Sequence, residues 1–148
     1  MKTAAIALVI LLSMCIGPAF ALTDQPAKPL TDKQLSLVEK NILRNLNCNT
    51  CEVRANTIQT IIDLKTAYPQ QNFDYTLIPL MSILKGDDRY EVRILAALAL
   101  YQFDSELAKF AVSRRALYDS SDRVAKHCAA MTREWGKHAD VELTASID

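Results

Sequence analysis

The chain of 148 residues is short of glycine, with three, and of proline, with five; it has four cysteines and no net formal charge, and its aromatics make up only 7% of it. Its length allows one compact domain and excludes a large multidomain enzyme. The balance of 17 basic against 17 acidic side chains, without long blocks of one sign, excludes a surface built as a whole for nucleic acid or anionic lipid, so any such patch is local. There is no glycine-rich phosphate loop, no His-Glu-x-x-His, and no Ser, His and acid set at a telling spacing, so no catalytic residue is assigned.

What is present begins with an address. Lys2 precedes an apolar run of 13 residues, Ala4 to Ile16, that Gly17-Pro18 breaks before the small-x-small site Ala19-Phe20-Ala21. Residues 1–21 therefore read as a secretory signal peptide, with the mature chain starting at Leu22 and lying in the periplasm or outside the cell. The run falls short of the ~20 apolar residues that span a bilayer, so no membrane span is expected in the mature chain. A lesser alternative is a lipoprotein anchored through Cys15, because Leu12-Ser13-Met14-Cys15 partly resembles a lipobox. Cleavage leaves 127 residues and three cysteines, enough chain for an ordinary core and too few thiols for a disulfide-stapled scaffold.

Residues 22–30, with Pro26 and Pro29, lack periodicity and read as an extended leader. Thr31-Asp32-Lys33-Gln34 is a capping box, and behind it Leu35, Val38, Ile42 and Leu46 form one helical stripe. Five further stripes follow, and no alternation of strand length occurs, so the class is all-α. The second carries Val53, Thr57, Ile58, Ile61 and Tyr68 and ends before Pro69; the third, from near Thr76, carries Leu77, Leu80, Met81 and Leu84 and stops at Gly86-Asp87-Asp88. The fourth carries Val92, Leu95, Ala96, Ala99, Leu100 and Phe103. The fifth, from about Ser105 to Tyr118, is expected to turn Leu107, Phe110 and Ala111 inward, and the sixth, from Asp122 to about Lys137, to bury Val124, Cys128, Met131 and Trp135. Alternate helices open alike, with Glu52-Val53-Arg54, Glu91-Val92-Arg93 and Arg123-Val124-Ala125, their valines 39 and then 32 residues apart. Such self-similarity marks a stacked array of helix pairs over residues 31–138, followed by a C-terminal tail at 139–148.

Glu91-Val92-Arg93 followed by Ala96, Ala97, Ala99 and Leu100, and preceded by Leu77-Ile78-Pro79-Leu80, resembles HEAT or HEAT-like repeats. The likeness is strong in the middle pair, fair in the first, and degraded in the third, where Ala125 replaces the arginine. It implies a short right-handed α-solenoid of about three antiparallel helix pairs. It also implies that Arg54 and Arg93, with Glu52 and Glu91 beside them, are structural residues between repeats. The fold supports many binding roles and few enzymatic ones, so fold alone assigns none.

The remaining constellations each have a plain reading and a functional one. Cys48-Asn49-Thr50-Cys51 lies at the mouth of the second helix, where free amides favour a thiolate. A redox role lacks the βαβ context of thioredoxin-type motifs, haem attachment lacks the following His, and a Zn site lacks further ligands, as His127 and His138 are 11 apart. A local disulfide or two inert thiols ranks ahead of a redox pair, and no metal or cofactor is expected. Cys128 falls on an inner stripe as a small hydrophobe. Lys126, Arg133 and Lys137 share one face of the last helix, read first as a solvated outer face and second as a site for an anionic partner. Tyr68, Tyr75, Tyr90, Tyr101 and Tyr118 fall near helix ends, packed there or offered to a partner. The reading that results is an exported, non-enzymatic scaffold or adaptor that binds a protein or a cell-envelope component and no nucleic acid. A thiol redox-active or redox-sensing protein is the alternative.

Overall fold

The computed structural model describes residues 29–145, with side-chain surroundings through Lys137. The expected signal peptide at 1–21, Cys15, most of the expected leader, and residues 146–148 lie outside the described residues, as does the side chain of His138. Six helices make up the described chain, which contains no strand: α1 Asp32–Leu46, α2 Cys51–Ala67, α3 Leu77–Gly86, α4 Tyr90–Tyr101, α5 Glu106–Tyr118 and α6 Asp122–Ala145. A single 3-10 turn, Asp74–Thr76, leads into α3.

Local chemistry explains most of the boundaries. At α1 the capping box is complete, with the Gln34 amide donating to the Thr31 hydroxyl at 3.4 Å and the Thr31 amide donating back to Gln34 Oε1 at 3.0 Å. Helix α2 ends before Pro69, which cannot continue it. Pro79 sits in the first turn of α3, where its missing N–H costs nothing. The loop between α2 and α3 is pinned from within: the Asp74 amide donates to Asn72 Oδ1 at 2.7 Å, and the Thr76 hydroxyl donates to the Phe73 carbonyl at 2.8 Å. That turn drives Phe73, which no stripe announces, fully into the core.

Each helix packs on its successor along the chain at α1/α2, α3/α4 and α5/α6. The even-numbered helices also touch in order, α2 to α4 to α6, as do the odd-numbered ones, α1 to α3 to α5. The core follows these contacts as one continuous cluster running from Ile42 and Leu46 through Ile58, Ile61, Leu80 and Leu84 to Leu100, Val124 and Cys128. Helix α4 lies at the centre, and its Ala96, Ala97 and Ala99 are fully buried. Alanine at these positions lets neighbouring backbones approach closely on either side.

Two expectations need correction. In α5 the inward residues are Ala108 and Val112, while Leu107 is 44% and Phe110 62% exposed and Ala111 is only half-buried. The helix is apolar on both sides, and the smaller side chains are the ones that fit against α6. Helix α6 does not stop near Lys137 but continues to Ala145, since no proline or glycine follows Lys137 and Ala139, Glu142 and Leu143 favour helix. The segment 139–145 is therefore helical.

Candidate functional site

The loops that precede α2, α4 and α6 share one geometry. Arg54, in the first turn of α2, donates from Nη1 to the Cys48 carbonyl at 2.8 Å and from Nε to Asp87 Oδ2 at 2.7 Å. Arg93, in the first turn of α4, repeats the figure one loop further on, with Nη1 to the Asp87 carbonyl at 2.6 Å and Nη2 to Asp119 Oδ1 at 2.9 Å. Each arginine thus ties its own loop, six residues back, to the carboxylate of the next loop. Asp87 and Asp119 are only 3% and 2% exposed as side chains, so each charge is held largely out of water by a charged partner.

The two aspartates also shape their own loops. Asp87 Oδ1 accepts from the Arg89 amide at 3.0 Å, and Asp119 Oδ1 accepts from the Ser121 amide at 2.9 Å, in each case two residues on. Glu52 and Glu91 stay outside this arrangement. Both are exposed, and Glu91 pairs with Arg89 at 3.4 Å. The carboxylates that meet the arginines are therefore Asp87 and Asp119. The signal for them is positional, since each stands five residues before the valine that opens its helix stripe.

Cys48 stands five residues before Val53, the place that aspartate holds in the two later loops. The Thr50 amide, two residues on, hydrogen-bonds the sulfur as the corresponding amides bond Asp87 and Asp119. That contact, then the Thr50 hydroxyl and the nearby Arg54 guanidinium, hold the Cys48 thiol below its ordinary value. Cys51, the first residue of α2, is shifted the other way: its hydrogen bond to the Glu52 carboxylate, burial and the Glu52 charge push the thiol up. Arg89 Nη1 lies 4.0 Å from Cys51 Sγ and opposes that shift. Both cysteines are free thiols and half-buried. Cys48 opens onto a cleft of about 290 Å³ whose walls include Arg54, Ser82 and Asp87. Cys128 is fully buried on α6, and burial raises its thiol to about 11.

The outer side of α3 and α5 forms a second feature. A groove of about 400 Å³ has Met81, Leu84, Phe110 and Ala111 on its walls, with Lys85, Arg114 and Arg115 among them. On the same two helices, Ile78, Leu107, Leu117 and Tyr118 are also exposed. On α6, Lys126, Arg133 and Lys137 are exposed, and Lys137 is engaged with Glu134 at 2.8 Å. Of the tyrosines, Tyr90 accepts a hydrogen bond from Arg123 Nη1 at 2.6 Å and Tyr101 packs on Trp135 with ring centres 4.9 Å apart; Tyr118 alone is exposed.

Among the described residues no group of three or more His, Cys, Asp and Glu is placed to hold a metal ion, and no helix is long and apolar enough to cross a membrane. No protein-family model, curated protein or solved structure matches this chain.

Proposed function

We propose that this protein is an exported helical-repeat scaffold, a short right-handed α-solenoid of three antiparallel pairs that holds a protein or cell-envelope partner on one face and performs no catalysis. The observation that carries the binding role is that the exposed large apolar side chains fall mostly on the odd-numbered helices, Leu37 on α1, Ile78 on α3, and Leu107, Phe110 and Leu117 on α5, against Leu98 on α4. Scattered apolar residues are normal on a protein surface, but a patch shared by adjoining helices marks an interaction surface. The repeat architecture is supported by the ordered contacts α1 to α3 to α5 and α2 to α4 to α6, and by the step that Arg54 and Arg93 repeat from loop to loop. The resemblance to HEAT-like repeats, with the signal-like residues 1–21, supports an exported member of that architecture.

Two measurements test this reading. The intact mass of the exported protein reads the start at Leu22 or a lipid on Cys15. Crosslinking in envelope extract, run beside a known adaptor as control, should return a partner through the face of Ile78 and Phe110; capture by the control alone would reject the scaffold.

One observation favours a second reading, thiol exchange through Cys48 and Cys51. The two thiols are shifted in opposite directions, and the lowered one faces an open cleft. A Cys48 thiol that titrates no lower than Cys51 would dispose of it.

A further inference from the structure

We infer that the groove between α3 and α5 is the docking site for an acidic amphipathic helix of a partner protein, whose apolar anchors sit at Met81 and Phe110 and whose carboxylates meet Lys85 and Arg114. The inference rests on the scaffold reading above and adds the occupant and the place it binds.

Charge is the first ground. Three cations line the groove, and among the described residues the one carboxylate within 4.0 Å of any of them is that of Asp119, 4.0 Å from Arg115 and already held by Arg93 at 2.9 Å. Arg114 rests on the Tyr118 ring, 4.9 Å from its centre, a contact that positions a cation without neutralising it. The adjoining groove between α5 and α6 differs, for its Lys109 is already paired with Glu106 at 2.9 Å and with Asp104 at 3.2 Å. Unbalanced positive charge around an apolar floor selects an occupant that brings its own carboxylates.

Shape is the second ground. Met81 and Lys85 are one helical turn apart on α3, as are Phe110 and Arg114 on α5, so each wall offers an apolar residue followed by a cation. Both cations stand towards the C-terminal ends of their helices. The groove therefore runs from an apolar end, continued by the exposed Ile78 and Leu107, to an end where the cations stand beside the exposed Leu117 and Tyr118. A partner helix with apolar residues at i and i+3 or i+4 and acids one turn beyond matches this order. The exposed Phe110 on the groove wall and the exposed Leu117 and Tyr118 beside it suit the side of a helix better than an enclosed small molecule.

The test is an affinity selection with the full chain against displayed helical 16-residue peptides randomised on one face, followed by synthesis of the enriched sequence. Enrichment of Asp and Glu one turn from Leu, Ile or Phe is expected. The synthetic peptide should bind about ten-fold more weakly to Phe110→Ser and to Arg114→Glu, a difference that corresponds to one well-buried contact. Binding should fall as salt rises, while Lys137→Glu on α6 leaves it unchanged. Phe110 and Arg114 are both exposed, so each variant should keep the wild-type unfolding midpoint, and either alone suffices if the other does not. Enrichment of neutral or basic peptides, binding indifferent to both substitutions, no enrichment at all, or binding only to phosphatidylglycerol vesicles would each overturn the proposal. If peptides bind but map to another face, the groove fails while the scaffold reading stands; if envelope crosslinking also returns no partner, both fail.

Discussion

At Cys48 the chain departs from its own pattern, since Asp87 and Asp119 hold the corresponding place in the loops before α4 and α6 and accept an arginine from α2 and α4 respectively. At that place Cys48 puts a half-buried thiol that opens onto the cleft walled by Arg54 and Asp87. The Thr50 amide and hydroxyl still favour the anionic form, which lowers the Cys48 thiol, while Glu52 raises Cys51 and burial raises Cys128 to about 11. Iodoacetamide at neutral pH should therefore label Cys48 first, Cys51 more slowly, and Cys128 only when the chain unfolds. Peptide mapping of a time course reads this order, and equal rates at Cys48 and Cys51 would contradict it. Tyr75 gives a second prediction. Its hydroxyl is buried and has no hydrogen-bond partner among the described residues, and burial, with the Glu39 charge, pushes it from 10.0 up to about 12. Near neutral pH, Tyr75→Phe should be as stable as wild type or up to about 1 kcal/mol more so, because an unsatisfied hydroxyl is lost. A raised folded-state value means that stability is full below about pH 10 and is lost as pH rises towards about 12. Unfolding curves of the two proteins should diverge in favour of Tyr75→Phe over that interval, and parallel curves would show that the phenol does not sense its burial.

Helix α5 shows where periodicity stops being informative. Leu107, Phe110 and Ala111 make as regular a stripe as Ala108, Val112 and Ala116, and spacing alone cannot choose between two apolar faces. The larger residues were the natural choice for the core, yet Ala108 and Val112 are fully buried and Phe110 is not. Val112→Ala should accordingly cost about 2 kcal/mol, from two buried carbons and a small cavity, while Phe110→Ala stays within about 0.5 kcal/mol of wild type. The reverse order in denaturant midpoints would restore the inward Phe110. Helix α4 was legible because its faces differ. Of its expected stripe Val92, Ala96, Ala99 and Leu100 are buried, Leu95 is half-buried, and Phe103 is buried just past the helix end; Ala96→Leu should cost about 1 to 3 kcal/mol by overfilling the contact on a fully enclosed position. An unchanged midpoint would mean that the helix register is wrong. Phe73 and the carboxylates of Asp87 and Asp119 escaped the sequence reading for another reason. They lie in loops, where no period exists, and their roles depend on residues brought near by the packing of successive helices. The Cys48-x-x-Cys51 pair was visible as a spacing, whereas the opposite shifts of its thiols come from Thr50 and Glu52, which spacing does not weigh.

For the molecule as a whole, the proposed array of helix pairs raises the question of how tightly those pairs are coupled, because a stacked array is stabilised mainly between nearest neighbours. Arg54 joins the loop before α2 to the loop before α4, and Arg93 joins that loop to the one before α6. At the far end Ala125 takes the arginine's place, so the ladder closes there as it opens at Cys48. Arg93→Met leaves Asp119 buried with its main cation gone, retaining Arg115 at 4.0 Å, and should destabilise the protein by about 3 kcal/mol. Adding Asp119→Asn keeps the loop hydrogen bond from the Ser121 amide while removing the stranded charge, so the double variant should recover part of that loss. The distribution of the loss is the sharper test. Amide exchange in Arg93→Met should quicken first in α5 and α6, with α2 and α4 protected, because the broken step separates the last pair from the rest. Arg54→Met should instead loosen α1 and α2 first. Uniform quickening through all six helices in both variants would show one cooperative core in which the arginines only trim local loops, and the repeat description would then lose its energetic meaning.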